Sequence, residues 1–94
     1  MGDLRQAFGR RVRQVREKLS LSQEALAERA GLHWTYVSEI ERGRRGPSLD
    51  VVGRLALGLG VSLAELFAPL GDRYRARYRK ATLSSNVGSK RRAR

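Results

Sequence analysis

The sequence predicts an all-α fold of five short helices followed by a basic extension. Three observations predict it. Apolar residues recur at spacings of three and four through the first 70 positions, the period of a helix that buries one face. No stretch alternates apolar and polar residues as a half-buried strand would. Serines stand just ahead of the periodic segments and glycines just behind them, which are the start and stop signals of helices.

Each element follows in order. Leu4, Phe8, Val12, Val15 and Leu19 form one stripe of a first helix, with Asp3 as its N-cap. Ser22 caps a short second helix, QEALAERA, with Ala25, Leu26 and Ala30 apolar and Gly31 as the left-handed residue behind it. Leu32 or His33 leads into a third helix over about 34–41, closed by Gly43. The stretch RGRRGPS is a basic loop. Ser48 caps a fourth helix, LDVVGRLALGL, with Asp50 in the first turn favouring its dipole and Gly60 at its end. Ser62 and Glu65 have capping-box spacing and open a fifth helix that is expected to stop before Pro69. Beyond it, DRYRARYRKA suits one more short helix and TLSSNVGSKRRAR reads as disordered. The expected organisation is a helical domain over 1–70 and a basic extension over 71–94.

Composition narrows the function. Ninety-four residues, 40% of them hydrophobic, are enough for one small domain with its own core. There is no cysteine and one histidine, and no H-E-x-x-H, so neither a metal site nor a cofactor is expected. No nucleophile–base pair or carboxylate cluster suggests an enzyme. No apolar run reaches the roughly 20 residues of a membrane span, and the N-terminus lacks the apolar stretch of a signal peptide, which points to the cytoplasm. The net charge is +11, but residues 1–70 carry eleven basic and eight acidic side chains while 71–94 carry nine and one. A basic excess of this size suits an anionic partner, nucleic acid or a membrane surface; the alternative is a solvated tail with no partner.

The sharpest pattern lies over 23–42, QEALAERAGLHWTYVSEIER. Leu26, Ala30, Leu32, Val37 and Ile40 are apolar where two helices joined at Gly31 must face a core, and Ala27 is small where a second helix must cross closely. This is the spacing of a helix-turn-helix, whose second helix enters the major groove of DNA; an ordinary αα-corner is the alternative. Val37, Ile40 and Glu41 would face inward, leaving Thr35, Ser38, Glu39 and Arg42 outward with Trp34 beside them. Thr35 and Ser38 suit hydrogen bonds to base edges, and Glu39 can accept from a cytosine amino group. Trp34 either offers apolar surface to thymine methyls or packs on the turn. The Tyr36 hydroxyl either reaches a phosphate or the ring packs against the basic loop. His33 reads as a turn or cap residue. Arg42, Arg44 and Arg45, just past the helix, suit phosphates; Arg11 is a further phosphate candidate or simply a solvated face.

The stretch from SLSQEALAERAGL to LGVSLAELF resembles the lambda-repressor-like, or Cro/XRE, DNA-binding domain, over roughly 4–68. The S-Q opening, the E-R-G after the third helix and the P-S-L opening the fourth carry the resemblance. WTYVSEIERG is also similar to the recognition helix of restriction-modification controller proteins, which usually carry an arginine where Trp34 stands. The resemblance implies a five-helix domain that binds double-stranded DNA as a homodimer on an inverted repeat and regulates transcription. It implies that Gln23 binds a phosphate and that Arg16 and Glu41 form a structural ion pair between the first and third helices. Leu63, Leu66, Phe67 and Leu70 exceed what one short helix needs for a core, and the implied dimer interface would draw on them. The runner-up reading is an antitoxin-like or coactivator-like module that chiefly binds protein.

Overall fold

The computed structural model describes residues 2–71; the expectations for the basic extension, Tyr74 and Tyr78 included, lie outside the described residues. The elements are α1 (Gly2–Lys18), α2 (Gln23–Ala30), α3 (Trp34–Glu41), α4 (Leu49–Leu59) and α5 (Leu63–Gly71). Among the described residues there is no strand.

Local chemistry sets most boundaries. The Ser22 hydroxyl accepts from Ala25 N at 3.0 Å, and Ser48 accepts from Val51 N at 3.2 Å. In α5 the cap is reciprocal: Glu65 N donates to Ser62 Oγ at 3.0 Å while Ser62 N donates to Glu65 Oε1 at 2.8 Å. Gly31 and Gly60 sit at φ 71° and 70°, where a side chain would be strained. Behind them Leu32 N returns to Ala27 O at 2.8 Å and Val61 N to Ala56 O at 3.1 Å, which satisfies carbonyls the helix ends leave open. α1 ends without a glycine: Ser20 itself takes φ 59°, and Leu21 N reaches Arg16 O at 3.1 Å.

Three expectations need correction. α1 already begins at Gly2, so Asp3 lies within the helix and not at its cap. Leu4 and Leu19 remain 41% and 45% exposed while Phe8, Val12 and Val15 are buried. The stripe spans about 22 Å at 1.5 Å per residue, longer than the eight-residue α3 at about 12 Å against which α1 packs, and its ends overhang it. The third correction concerns Pro69, which does not end α5; the helix continues through it to Gly71. A proline within a helix has no N–H for the carbonyl four residues back, here that of Glu65. Arg11 supplies the donor instead, with Nη2 to Glu65 O at 2.8 Å and Nε to Leu66 O at 3.0 Å. That engagement also takes Arg11 off the solvated face.

The core gathers one face of every helix, with Val12, Leu26, Val37, Ile40, Leu55 and Leu66 fully buried. α1 packs on α3 and α2 on both α3 and α4. Two glycines permit the closest crossings. A Cβ on Gly9 would lie 2.2 Å from Ile40 O and 2.8 Å from Glu41 O, so α1 lies directly against the end of α3. A Cβ on Gly58 would meet Leu26 Cδ1 at 3.0 Å and Ala30 N at 3.2 Å. Ala27, 3% exposed, supplies the small side chain on α2.

Candidate nucleic-acid interface

α3 is held by its inner face and offers its outer one. Its N-cap is His33, whose Nδ1 accepts from Thr35 N at 3.2 Å. Val37, Ile40 and Glu41 are buried. Thr35 and Arg42 are exposed and Glu39 half-buried, and with spacings of four and three they share one face. Ser38 does not join them. It is 4% exposed, about 100° round the helix from Val37 and small enough for its neighbours to cover, so the buried arc is wider than its apolar residues indicate. Trp34, at the first turn, is 47% exposed and stacks on the His33 ring with centroids 6.3 Å apart.

The basic loop folds back on α3 beside that face. Arg45 Nε lies 3.0 Å from Glu39 Oε1, and its guanidinium carbon sits 4.8 Å from the Tyr36 ring centroid. Tyr36 is therefore packed beneath the loop, and in the free protein Arg45 and Glu39 occupy one another. Arg42 and Arg44 are exposed. The loop rests on the start of α1. Gly43, at φ 74°, has no room for a Cβ against Gln6, and Gly46 approaches the Arg5 guanidinium, its Cβ position 3.0 Å from Nε. Arg5 thus stands beside the basic loop as a cation that the sequence pattern does not reveal. Nothing in a residue some 40 positions upstream marks it as a neighbour of Gly46.

Behind this face lies a buried polar cluster. Arg16 meets Glu41 in a two-point pair, Nε to Oε2 at 2.6 Å and Nη2 to Oε1 at 2.9 Å, and Arg16 Nη1 donates to Leu21 O at 2.7 Å. The hydrogen bond to Glu41 raises the Arg16 pKa above its ordinary value, and burial opposes it. Gln23, at the first position of α2, donates from Nε2 to Glu41 Oε1 at 3.0 Å. Among the described residues, no buried side-chain nitrogen or oxygen lacks a partner.

The apolar residues expected at an interface divide. Leu66 and Leu70, four apart on the inner face of α5, belong to the core at 0% and 6% exposure, which removes them from any subunit contact. Leu63 is exposed and Phe67 partly so, stacked on Phe8 at 5.4 Å between centroids. Among the described residues, the most exposed large apolar side chains are on α4: Leu49 at 88% and Leu57 at 81%. With Gly53 between them and Leu63 nearby they line one groove. The four-residue spacing of Leu49, Gly53 and Leu57 was a signal, hidden because Val51, Val52 and Leu55 already account for a core face.

Residues 12–66 match the helix-turn-helix family model. The chain belongs to the helix-turn-helix family, in its Cro/XRE type. This helix-turn-helix protein is 44% identical over 73 residues to control protein C.BamHI of Bacillus amyloliquefaciens, spanning 74% of this chain and 90% of that one. It is 41% identical over 71 residues to control protein C.MunI of a Mycoplasma species, spanning 74% and 96%. The restriction-modification controller protein C.AhdI from Aeromonas hydrophila superposes with a TM-score of 0.66 at 43% identity, covering 67% of this chain and 96% of that structure. These relatives are regulatory proteins and not enzymes. Among the described residues no single helix is long and apolar enough to cross a membrane.

Proposed function

We propose that this helix-turn-helix protein is a cytoplasmic, sequence-specific transcription regulator that binds double-stranded DNA as a homodimer on an inverted repeat, each α3 lying in a major groove. One observation carries the reading: Thr35, the half-buried Glu39 and the C-cap Arg42 share one outward face of α3 and its end, next to an exposed Trp34 and rimmed by Arg44, Arg45 and Arg5. Thr35, Trp34 and Glu39 read base edges, Glu39 after Arg45 has left it for a phosphate. Arg42, Arg44 and Gln23 hold phosphates, the last beside the free amides of the first turn of α2. Tyr36 supports Arg45, and Ser38 supports the packing of α3.

Dimerisation follows from the reading of DNA. One helix reads too few base pairs to discriminate against a genome, and two-fold pairing places half-sites about 10 bp apart. Leu49 and Leu57 on α4 with Leu63 and Phe67 on α5 are exposed apolar side chains that could serve it. The restriction-modification controller relatives support a regulator over a module that chiefly binds protein. The basic residues of 71–94 add sequence-blind contacts to flanking phosphates.

The test is selection of bound duplexes from a random pool, followed by affinities on single-base variants. Thr35→Ala and Glu39→Ala are expected to change the preferred base at about 1–3 kcal/mol per base contact. Arg44→Ala is expected to weaken all sequences alike. Deleting 71–94 is expected to flatten the salt dependence by about 0.9 in slope for each phosphate that the extension neutralises, with base preference unchanged. A selected site without two-fold symmetry would remove the dimer; equal, uniform losses for Glu39→Ala and Arg44→Ala would remove the division of roles.

A further inference from the structure

The buried carboxylate of Glu41 has more than one partner. Its Oε1 accepts from both Arg16 Nη2 at 2.9 Å and Gln23 Nε2 at 3.0 Å, and its Oε2 from Arg16 Nε at 2.6 Å. A carboxylate only accepts, so the Gln23 amide must turn its nitrogen toward Glu41. One of the two Nε2 hydrogens is then engaged, and the other remains available. Glu41 is the last residue of α3 and Gln23 the first of α2, so this bond links the end of the reading helix to the start of its neighbour.

We infer that Glu41 is a positioning residue for DNA binding: by holding one Nε2–H of Gln23, it sets the amide in place so that the second N–H meets a backbone phosphate at a fixed distance from the reading face of α3. The inference rests on the proposed phosphate contact of Gln23. Ordering a free glutamine at the moment of binding costs rotamer entropy; here folding has already ordered it, and preorganisation of this kind raises affinity. Because the anchor is tied to α3 itself, a tilt of the reading helix carries the phosphate donor with it, and the register between base contacts and backbone contact is kept. Arg16 has a distinct part. A bare carboxylate beside a phosphate would repel it, and the two-point pair neutralises Glu41 while leaving Oε1 able to accept from Gln23.

The experiment compares Gln23→Ala in three backgrounds of the full chain: wild type, Glu41→Gln, and the double variant Arg16→Met/Glu41→Leu. The last removes both charges together and spares the fold an uncompensated one; thermal melts check that each variant is folded. The probe is a mixed-sequence DNA duplex, read by anisotropy across a salt series. In wild type Gln23→Ala is expected to weaken binding on the order of tenfold with the salt slope unchanged, because a neutral amide displaces no counterion. In Glu41→Gln, whose amide oxygen still accepts from Gln23, the loss is expected to persist. In the double variant the loss is expected to shrink to less than about twofold, because Gln23 no longer has an acceptor to order it. The Gln23 side-chain amide resonances of the free protein give a readout without DNA, expected to move to free-amide positions in the double variant and to stay displaced in Glu41→Gln. An equal loss from Gln23→Ala in wild type and in the double variant overturns the positioning role alone. No loss in wild type removes the phosphate contact and with it the inference.

Discussion

The α1–α3 and α2–α4 junctions both bring helices together at a glycine, yet they are held by different forces. At α2–α4 the contact is apolar: Leu26, Ala27 and Ala30 meet Leu55, Ala56 and Leu59, all buried, and Arg29 Nη1 adds a donor to Gly58 O at 3.1 Å. At α1–α3 the backbone of α3 presses on Gly9, and the Arg16–Glu41 pair closes the crossing. Apolar contact is non-directional and rewards area; a forked ion pair rewards one orientation. The directional junction belongs to the helix that presents Thr35 and Glu39. A buried pair contributes more to orientation than to net stability, and orientation is what a helix entering a groove needs.

Removing one charge should give the largest effect. Glu41→Ala leaves Arg16 buried without its partner and is expected to cost about 3–5 kcal/mol in urea or thermal unfolding. Arg16→Met/Glu41→Leu is expected to cost less than either single change; a larger cost would mean the pair stabilises the fold more than it orients α3. The pH sign follows from the raised pKa of Arg16. A raised value stabilises fully below arginine's ordinary pKa and is lost only as pH rises through the higher folded value. The gap between wild type and Glu41→Ala is therefore expected to stay constant from neutral pH to pH about 10.

The two glycines sharpen the contrast at lower cost. Gly9→Ala drives a methyl into backbone oxygens that cannot move independently and is expected to destabilise by about 1–3 kcal/mol. Gly58→Ala meets first the end of a flexible leucine and regains about 1 kcal/mol of helix propensity, so its net cost is expected to be within about 1 kcal/mol of zero. Equal costs in chemical denaturation would break the distinction between the junctions. The smallest effect is expected at Ser20, whose φ of 59° strains a residue with a Cβ. Ser20→Gly is expected to stabilise by up to about 1 kcal/mol, without changing the DNA sequence preferred.

Over residues 2–71 the five helices and most of their ends are legible along the chain. Ser22, Gly31, Ser48, Gly60 and the Ser62–Glu65 box act on amides and carbonyls within a few residues of themselves, so their chemistry is readable along the chain. The recognition pattern over 23–42 was legible for the same reason. Which surfaces are covered and which polar groups meet depends on contacts between distant helices. Pro69 stays inside α5 because Arg11, more than 50 positions earlier, supplies the missing donor. Gln23 is ordered by a carboxylate 18 positions away, and Arg5 comes to the basic loop only because α1 underlies it. Leu66 and Leu70 are as apolar as Leu49 and Leu57, yet the first two are core and the second two exposed. Hydrophobicity states that a side chain gains from burial, while the packing of distant helices decides which side chains are buried.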